Sequence, residues 1–152
     1  MIDINALRLR QATEADIPLL LELRKGTMLP HLERAGAPSD QDSLMARVVY
    51  RLEDAQLVYL GEEFVGLFKV SRTGREWMLV QVQVAPGWQG RGLGEALVRR
   101  LQEEAAAQRC CVVLDVLKGN PARRLYERLG FVVESESEGG LEYRMRYRPA
   151  GA

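Results

Sequence analysis

The segment QGRGLG, Gln89 to Gly94, places three glycines within five positions between an apolar, strand-like run and a helical pattern, EALVRRLQEEAAA. Glycine weakens regular structure, so its density at the mouth of a helix requires a backbone reason. A tight loop and close packing on a neighbouring strand are two such reasons. A third is the approach of an anion to the unpaired N–H groups and partial positive charge of the helix start.

Spacing separates the known phosphate loops. A nucleotide-triphosphate loop needs lysine and a hydroxyl residue after its last glycine, whereas Gly92 is followed by Leu93 and Gly94 by Glu95. A dinucleotide fingerprint needs a small residue where Glu95 stands, and it belongs early in a chain, after a parallel strand.

The flanking elements point to an earlier antiparallel meander. Leu7 to Gln11 alternates as a half-exposed strand, and Thr13 with Asp16 caps a helix through the leucine-dense IPLLLELRK. Pro30, Gly36 and Pro38 predict a short, irregular helical region after it, and a further helix is expected from Gln41 to Leu52. Ala55 to Leu60 and Glu63 to Arg72 read as a hairpin, and Glu76 to Val84 as the third strand. There Val80, Val82 and Val84 share one face and Gln81 and Gln83 the other.

The helix from about Gly92 to Gln108 carries Leu93, Leu97, Leu101 and Ala105 as a buried stripe, with Arg99, Gln102 and Glu103 turned to water. Cys111 to Leu117 has the apolar character of a strand buried on both faces. Asn120-Pro121 caps a helix with Ala122, Leu125, Tyr126 and Leu129 on one face, ending at Gly130. Phe131 to Glu138 and Leu141 to Tyr147 form two strands around Gly139-Gly140.

The expected fold class is α/β (α+β): one domain over residues 1–152, core about 7–147, with a mixed, mostly antiparallel sheet of six to seven strands and about four helices. With 21 basic and 21 acidic residues evenly spread, nothing favours nucleic acid or an anionic membrane as partner, so any anion is held locally. Adjacent Cys110 and Cys111 point to opposite faces of a strand, and they suit a reducing compartment better than a disulfide. No signal-peptide core or membrane-spanning run is present, so a cytoplasmic protein is expected; no cluster has metal-ligand spacing.

What fits is Q-x-x-G-x-G, Gln89 to Gly94, after an antiparallel meander and directly preceded by VQVAP. Here the chain resembles the GNAT superfamily of acyl-CoA-dependent N-acetyltransferases over nearly its whole length. VQVAPGWQGRGLGEALVRRL is similar to the acetyl-CoA-binding segment of that family and NPARRLYERLGF, Asn120 to Phe131, to its second signature, in the expected order and separation.

The resemblance implies acetyl-CoA as co-substrate and no metal. Backbone groups of Gln89, Gly90, Arg91, Gly92, Leu93 and Gly94 would hold the pyrophosphate, with Arg91 adding charge; those of Val82 and Val84 would pair with the pantetheine arm, an N–H near Val82 polarising the thioester carbonyl. Tyr126 takes the place of the tyrosine that protonates the departing thiolate, though its spacing also suits a core residue. Asn120 is a helix cap first and a cofactor contact second, and NPARRLY has one residue fewer between Asn and Tyr than the commoner family spacing. Arg123 and Arg124 either reach the coenzyme phosphates or form a solvated face.

The base is open. Met78 stands where some relatives carry glutamate, which leaves Glu76, or water ordered by Gln81 and Gln83, whose amides face either the cleft or solvent. His31 lies in the variable segment that shapes the acceptor pocket in relatives. The implied reaction is acetyl transfer to a primary amine in a ternary complex, the acceptor being a small metabolite, an antibiotic, an amino acid or a protein or peptide amine; a homodimer is allowed. The alternatives are a non-catalytic CoA-binding sensor or interaction module and, third, a nucleotide-phosphate enzyme that prefers ATP or NAD to CoA.

Overall fold

Alternating apolar residues over 55–84 build an antiparallel meander in which β2 (Ala55–Leu60), β3 (Glu63–Ser71) and β4 (Glu76–Val84) pair in order, with β1 (Leu7–Gln11) outside β2. The computed structural model describes residues 3–151. After α3 (Leu93–Ala107), β5 (Cys111–Leu117) returns parallel to β4. After α4 (Ala122–Arg128), the strands β6 (Val132–Glu136) and β7 (Glu142–Tyr147) form a hairpin, with β7 against β5. The seven-stranded sheet has the order β1-β2-β3-β4-β5-β7-β6, and β4/β5 is its parallel pair.

The remaining helices, α1 (Ile17–Ala35) and α2 (Gln41–Val49), cover the face opposite to α3 and α4. Leu93, Leu97 and Leu101 of α3 pack with Phe68, Trp77 and Val112 on one side; Leu20, Leu44 and Val48 pack with Leu57 and Leu67 on the other. Burying both faces explains the unbroken apolar run of β5. Cys110 is buried and Cys111 half-buried, and both are free thiols. Among the described residues, no helix is long and apolar enough to cross a membrane.

Four local expectations are corrected. The region around Pro30 is not irregular: α1 runs unbroken through it to Gly36, whose φ of 69° closes the helix. The carbonyl that a proline ring crowds belongs to the residue four earlier, here the adaptable Gly26, and leucines from both halves share one core, so packing carries the helix past the missing N–H.

The second helix stops at Val49 rather than Leu52, because Tyr50 turns extended and Arg51 adopts a left-handed φ of 50°. Val80 does not share a face with Val82 and Val84. It is skipped in the pairing of β4 with β3, where Lys69 opposes Gln81 and Val70 opposes Leu79, so it is a bulge residue. Trp77 and Leu79 before it therefore face the same core as Val82 and Val84 after it. Gln102 is not turned to water: it is buried, and its Nε2 donates to the Leu129 carbonyl at 2.7 Å.

Candidate active site

The parallel pairing of β4 and β5 runs from Glu76↔Cys111 to Leu79↔Leu114 and ends there, at the bulge, although β4 continues to Val84 and β5 to Leu117. Beyond Leu79 the two strands separate, and main-chain groups of β4 on that side lose their sheet partner. The Ala85 N–H donates to Val65 O at 2.8 Å, which sets the phase of the antiparallel ladder. Alternate residues aim both main-chain groups at the same neighbour, so Gln81 and Gln83 serve β3 while Val82 and Val84 present theirs to the gap. The Val84 carbonyl is taken up by Gln89 Nε2 at 3.0 Å, which ties the glycine loop to the strand end.

Two of the three loop glycines have a conformational reason. Gly90 and Gly92 have φ of 75° and 85°, a conformation that L side chains adopt at a cost of about 1 kcal/mol or more, and a Cβ at either would meet nothing within 4 Å. Gly94 is helical, and a Cβ there would make only ordinary contacts, 3.8 Å from Leu125 and 3.9 Å from Val84. The first intrahelical bond of α3 is Ala96 N–H to Gly92 O, and Gly92 has no capping side chain, so the N–H groups of Leu93, Gly94 and Glu95 open outward. The side chain of Leu93 is buried, so this residue offers only its main chain. The guanidinium of Arg91 lies over the Trp88 ring at 4.8 Å.

A cavity of about 510 Å³ fills the space between the separated strands and the α1/α2 layer. Tyr126, Asn120 and Gln81 line it. Tyr126 is buried, and desolvation pushes its phenol up to about 12, so it holds its proton throughout the neutral range. Asn120 Oδ1 accepts from Ala122 N–H at 3.0 Å, but the N-cap of α4 is Pro121, so the helix starts one residue later than expected and Asn120 braces the turn that leads into it. Gln81 is buried and donates through Nε2 to the Arg47 carbonyl at 3.2 Å, and Gln83 is buried with an unpartnered Oε1. Both amides belong to the cavity rather than to solvent.

Three sequence candidates lie elsewhere. Glu76 sits at the far, paired end of β4, exposed and 2.8 Å from Arg146, outside the cavity lining, so the structure does not bring it to the gap. Arg123 stacks over Tyr143 at 4.5 Å; its Nε is 3.2 Å from Glu127, off the hydrogen-bond direction. His31 contacts Arg34 through Nδ1, and burial followed by the Arg34 charge lowers its pKa; it does not line the cavity.

Arg24 and Glu142 are lining residues that the sequence does not single out. Arg24 of α1 is 7% exposed, at a position where Leu20 and Leu21 set the buried stripe, and an arginine in that stripe was the available signal. Glu142, at the start of β7, is half-buried with its carboxyl raised by desolvation and then by Asp115, against Arg47, Arg144 and Arg24. Its alternation with the flanking turn gave no such signal.

A family model for the acetyltransferase (GNAT) domain matches residues 47–133, more than half of the chain. The chain belongs to the GNAT acetyltransferase family. Solved structures share this GNAT fold. The PaiA N-acetyltransferase of Thermoplasma acidophilum, in complex with coenzyme A, matches with a TM-score of 0.72 at 16% identity, over 93% of this chain and 98% of its own. An acetyltransferase from Thermus thermophilus matches with 0.72 at 23% identity, over 94% and 97%. The dodecameric spermidine N-acetyltransferase of Vibrio cholerae matches with 0.64 at 22% identity, over 95% and 94%. No curated protein sequence matches the chain.

Proposed function

We propose that this GNAT family member moves acetyl from acetyl-CoA to a primary amine, the neutral amine attacking the thioester directly while both substrates are bound. The single observation that carries this reading is the separation of β4 from β5 after Leu79↔Leu114, with the main-chain groups of Val82 and Val84 facing the gap. An amide-bearing pantetheine arm fits there as an added strand, and the same gap borders the proton-bearing Tyr126.

The residues present fit the coenzyme. The open N–H groups of α3, reached through Gly90 and Gly92, suit its pyrophosphate, and the N–H of Val82 suits a polarised carbonyl oxygen. Acetyl-CoA supplies the activated acyl group. The chain supplies alignment through β4, a donor for the departing sulfur at Tyr126 Oη, and a cavity lined by Gln81, Gln83 and Asn120 beside that donor. No enzyme nucleophile is needed, and Cys110 and Cys111 stand at the paired end of β5, away from the gap. With Glu76 bound to Arg146, water held by the Gln81 and Gln83 amides is the remaining base among the groups on β4.

Thiol release from acetyl-CoA over a panel of primary amines, run beside a calorimetric titration of CoA, tests this. CoA binding together with amine-dependent thiol release is expected. Binding without turnover on any amine would favour a non-catalytic CoA-binding module, and preference for ATP or NAD would end the reading.

A further inference from the structure

The cavity contains a buried cation that the fold leaves unpaired. Arg24 is 7% exposed, its Nε is enclosed with no hydrogen-bond partner, and no carboxylate lies within 4.0 Å of its guanidinium among the described residues. Burial, followed by repulsion from Arg47, lowers its pKa to about 10, and Glu142 is the one group opposing that shift. Isolated buried charge is strongly unfavourable unless something pairs with it.

A neighbouring cation shows that this fold can satisfy one for structural ends. Lys69 is fully buried on the same face of the sheet and donates to three backbone carbonyls. Arg24 receives none of this. Across the same cavity stand the unpartnered Gln83 Oε1 and the carboxylate of Glu142, which is in no ion pair among the described residues, whereas nearby Asp115 is committed to Arg144 at 2.6 Å.

We infer that the acceptor is a primary amine that also carries an oxyanion, a carboxylate or a phosphate, with Arg24 receiving the oxyanion and Glu142 the ammonium. Guanidinium presents a planar fork suited to either oxyanion. Glu142 accepts from the arriving ammonium and favours its charged form on binding, and before attack the amine passes its proton to the water held by the Gln81 and Gln83 amides. This assignment rests on the acyl-transfer reading for its catalytic meaning but not for its binding test.

The experiment has two arms on the full chain. In the first, thiol release is compared for amino acids against their amides and for aminoalkyl phosphates against the corresponding amino alcohols. The anionic member of at least one pair is expected to lead by tenfold or more in kcat/KM, and which pair leads separates carboxylate from phosphate. Arg24→Gln should erase the lead through KM, and Arg24→Lys should restore part of it. In the second arm, melting is followed with CoA present and with propionate or inorganic phosphate added, in wild type and Arg24→Gln.

An oxyanion-dependent shift in wild type alone supports the inference, as does a higher Tm of Arg24→Leu, since a structural arginine would lower it. Equal or faster turnover of the neutral members would overturn it while leaving acyl transfer intact. If no amine releases thiol, acyl transfer fails and the melting arm decides: a wild-type-only shift sustains oxyanion binding, and no shift removes it.

Discussion

Lys69 Nζ lies 2.6 Å from the carbonyl oxygen of Tyr50, with those of Val48 and Arg47 at 3.1 and 3.2 Å. An ammonium has three donors and no acceptor, so this buried side chain closes the C-terminal end of α2 where the helix leaves its carbonyls unpaired. Gln81 adds a bond to the Arg47 carbonyl from β4. Two strands thus hold the end of α2, and with it the wall that Arg47 and Tyr50 give the cavity. Lys69→Met should lower stability by about 1–3 kcal/mol in urea unfolding, since buried carbonyls lose their donor, and raise the acceptor KM more than the CoA Kd.

The same lysine predicts a pH signature. Burial, then Arg47 and Arg24, lower its pKa from 10.5 to about 8. Between those values the unfolded chain keeps a proton that the folded chain has released, so the stability due to Lys69 rises with pH across the window. The wild-type curve minus the Lys69→Met curve should climb between pH 8 and 10.5; a flat or falling difference would show that the three carbonyls hold the ammonium against its surroundings.

Tyr126→Phe should lower turnover by about 10²-fold or more with little change in acetyl-CoA affinity, as read by steady-state kinetics beside calorimetry. The two proteins should also differ in strong alkali. The phenol is raised from 10.0 to about 12 by desolvation, so as pH rises through that interval the unfolded chain ionises first and the wild type loses stability that the phenylalanine variant keeps. Equal turnover in the two would return Tyr126 to the core with Phe131, whose ring it meets edge-on at 5.8 Å.

The legible parts of this fold were those set by local period and by glycine. Apolar runs within residues 55–84 are separated at Gly61 and Gly74, and the meander follows; the stripe of α3 is regular, and the helix starts at the glycine loop. Pro30 misled because its local penalty was overridden by leucines that meet only in the tertiary core. The Val80 bulge was hidden because an extra residue in one strand is defined by its partner, and the alternation of Trp77, Leu79, Val82 and Val84 shows it only once the face is known. Gln102, Arg24 and Glu142 share one difficulty: a polar residue reads as exposed until the element opposite supplies a partner or a cavity.

The glycines predict a contrast. Gly92→Val places a β-branched residue at φ 85°, which should weaken CoA binding by tenfold or more through distortion of the α3 start, with the far-UV spectrum unchanged. Gly94→Ala puts a methyl in ordinary contact with Leu125 and Val84 inside a helix, where alanine is favoured by about 1 kcal/mol, so it should fold as well as wild type. Equal CoA affinity in Gly92→Val would remove the loop from the donor site.

Gln102 joins α3 to the end of α4, since its Nε2 donates to Leu129 O at 2.7 Å in a buried setting. Leu129 ends the helix that carries Tyr126, and among the described residues no other hydrogen bond reaches that carbonyl outside the regular elements. Gln102→Leu keeps apolar contact with the core yet strands the carbonyl, for a loss of about 1–3 kcal/mol in unfolding free energy. The proposed donor Tyr126 is one turn away from that carbonyl, so the variant should also lower turnover more than it changes acetyl-CoA affinity. A kcat equal to wild type at reduced stability would confine Gln102 to packing, and unchanged stability would mean that water replaces its amide at Leu129.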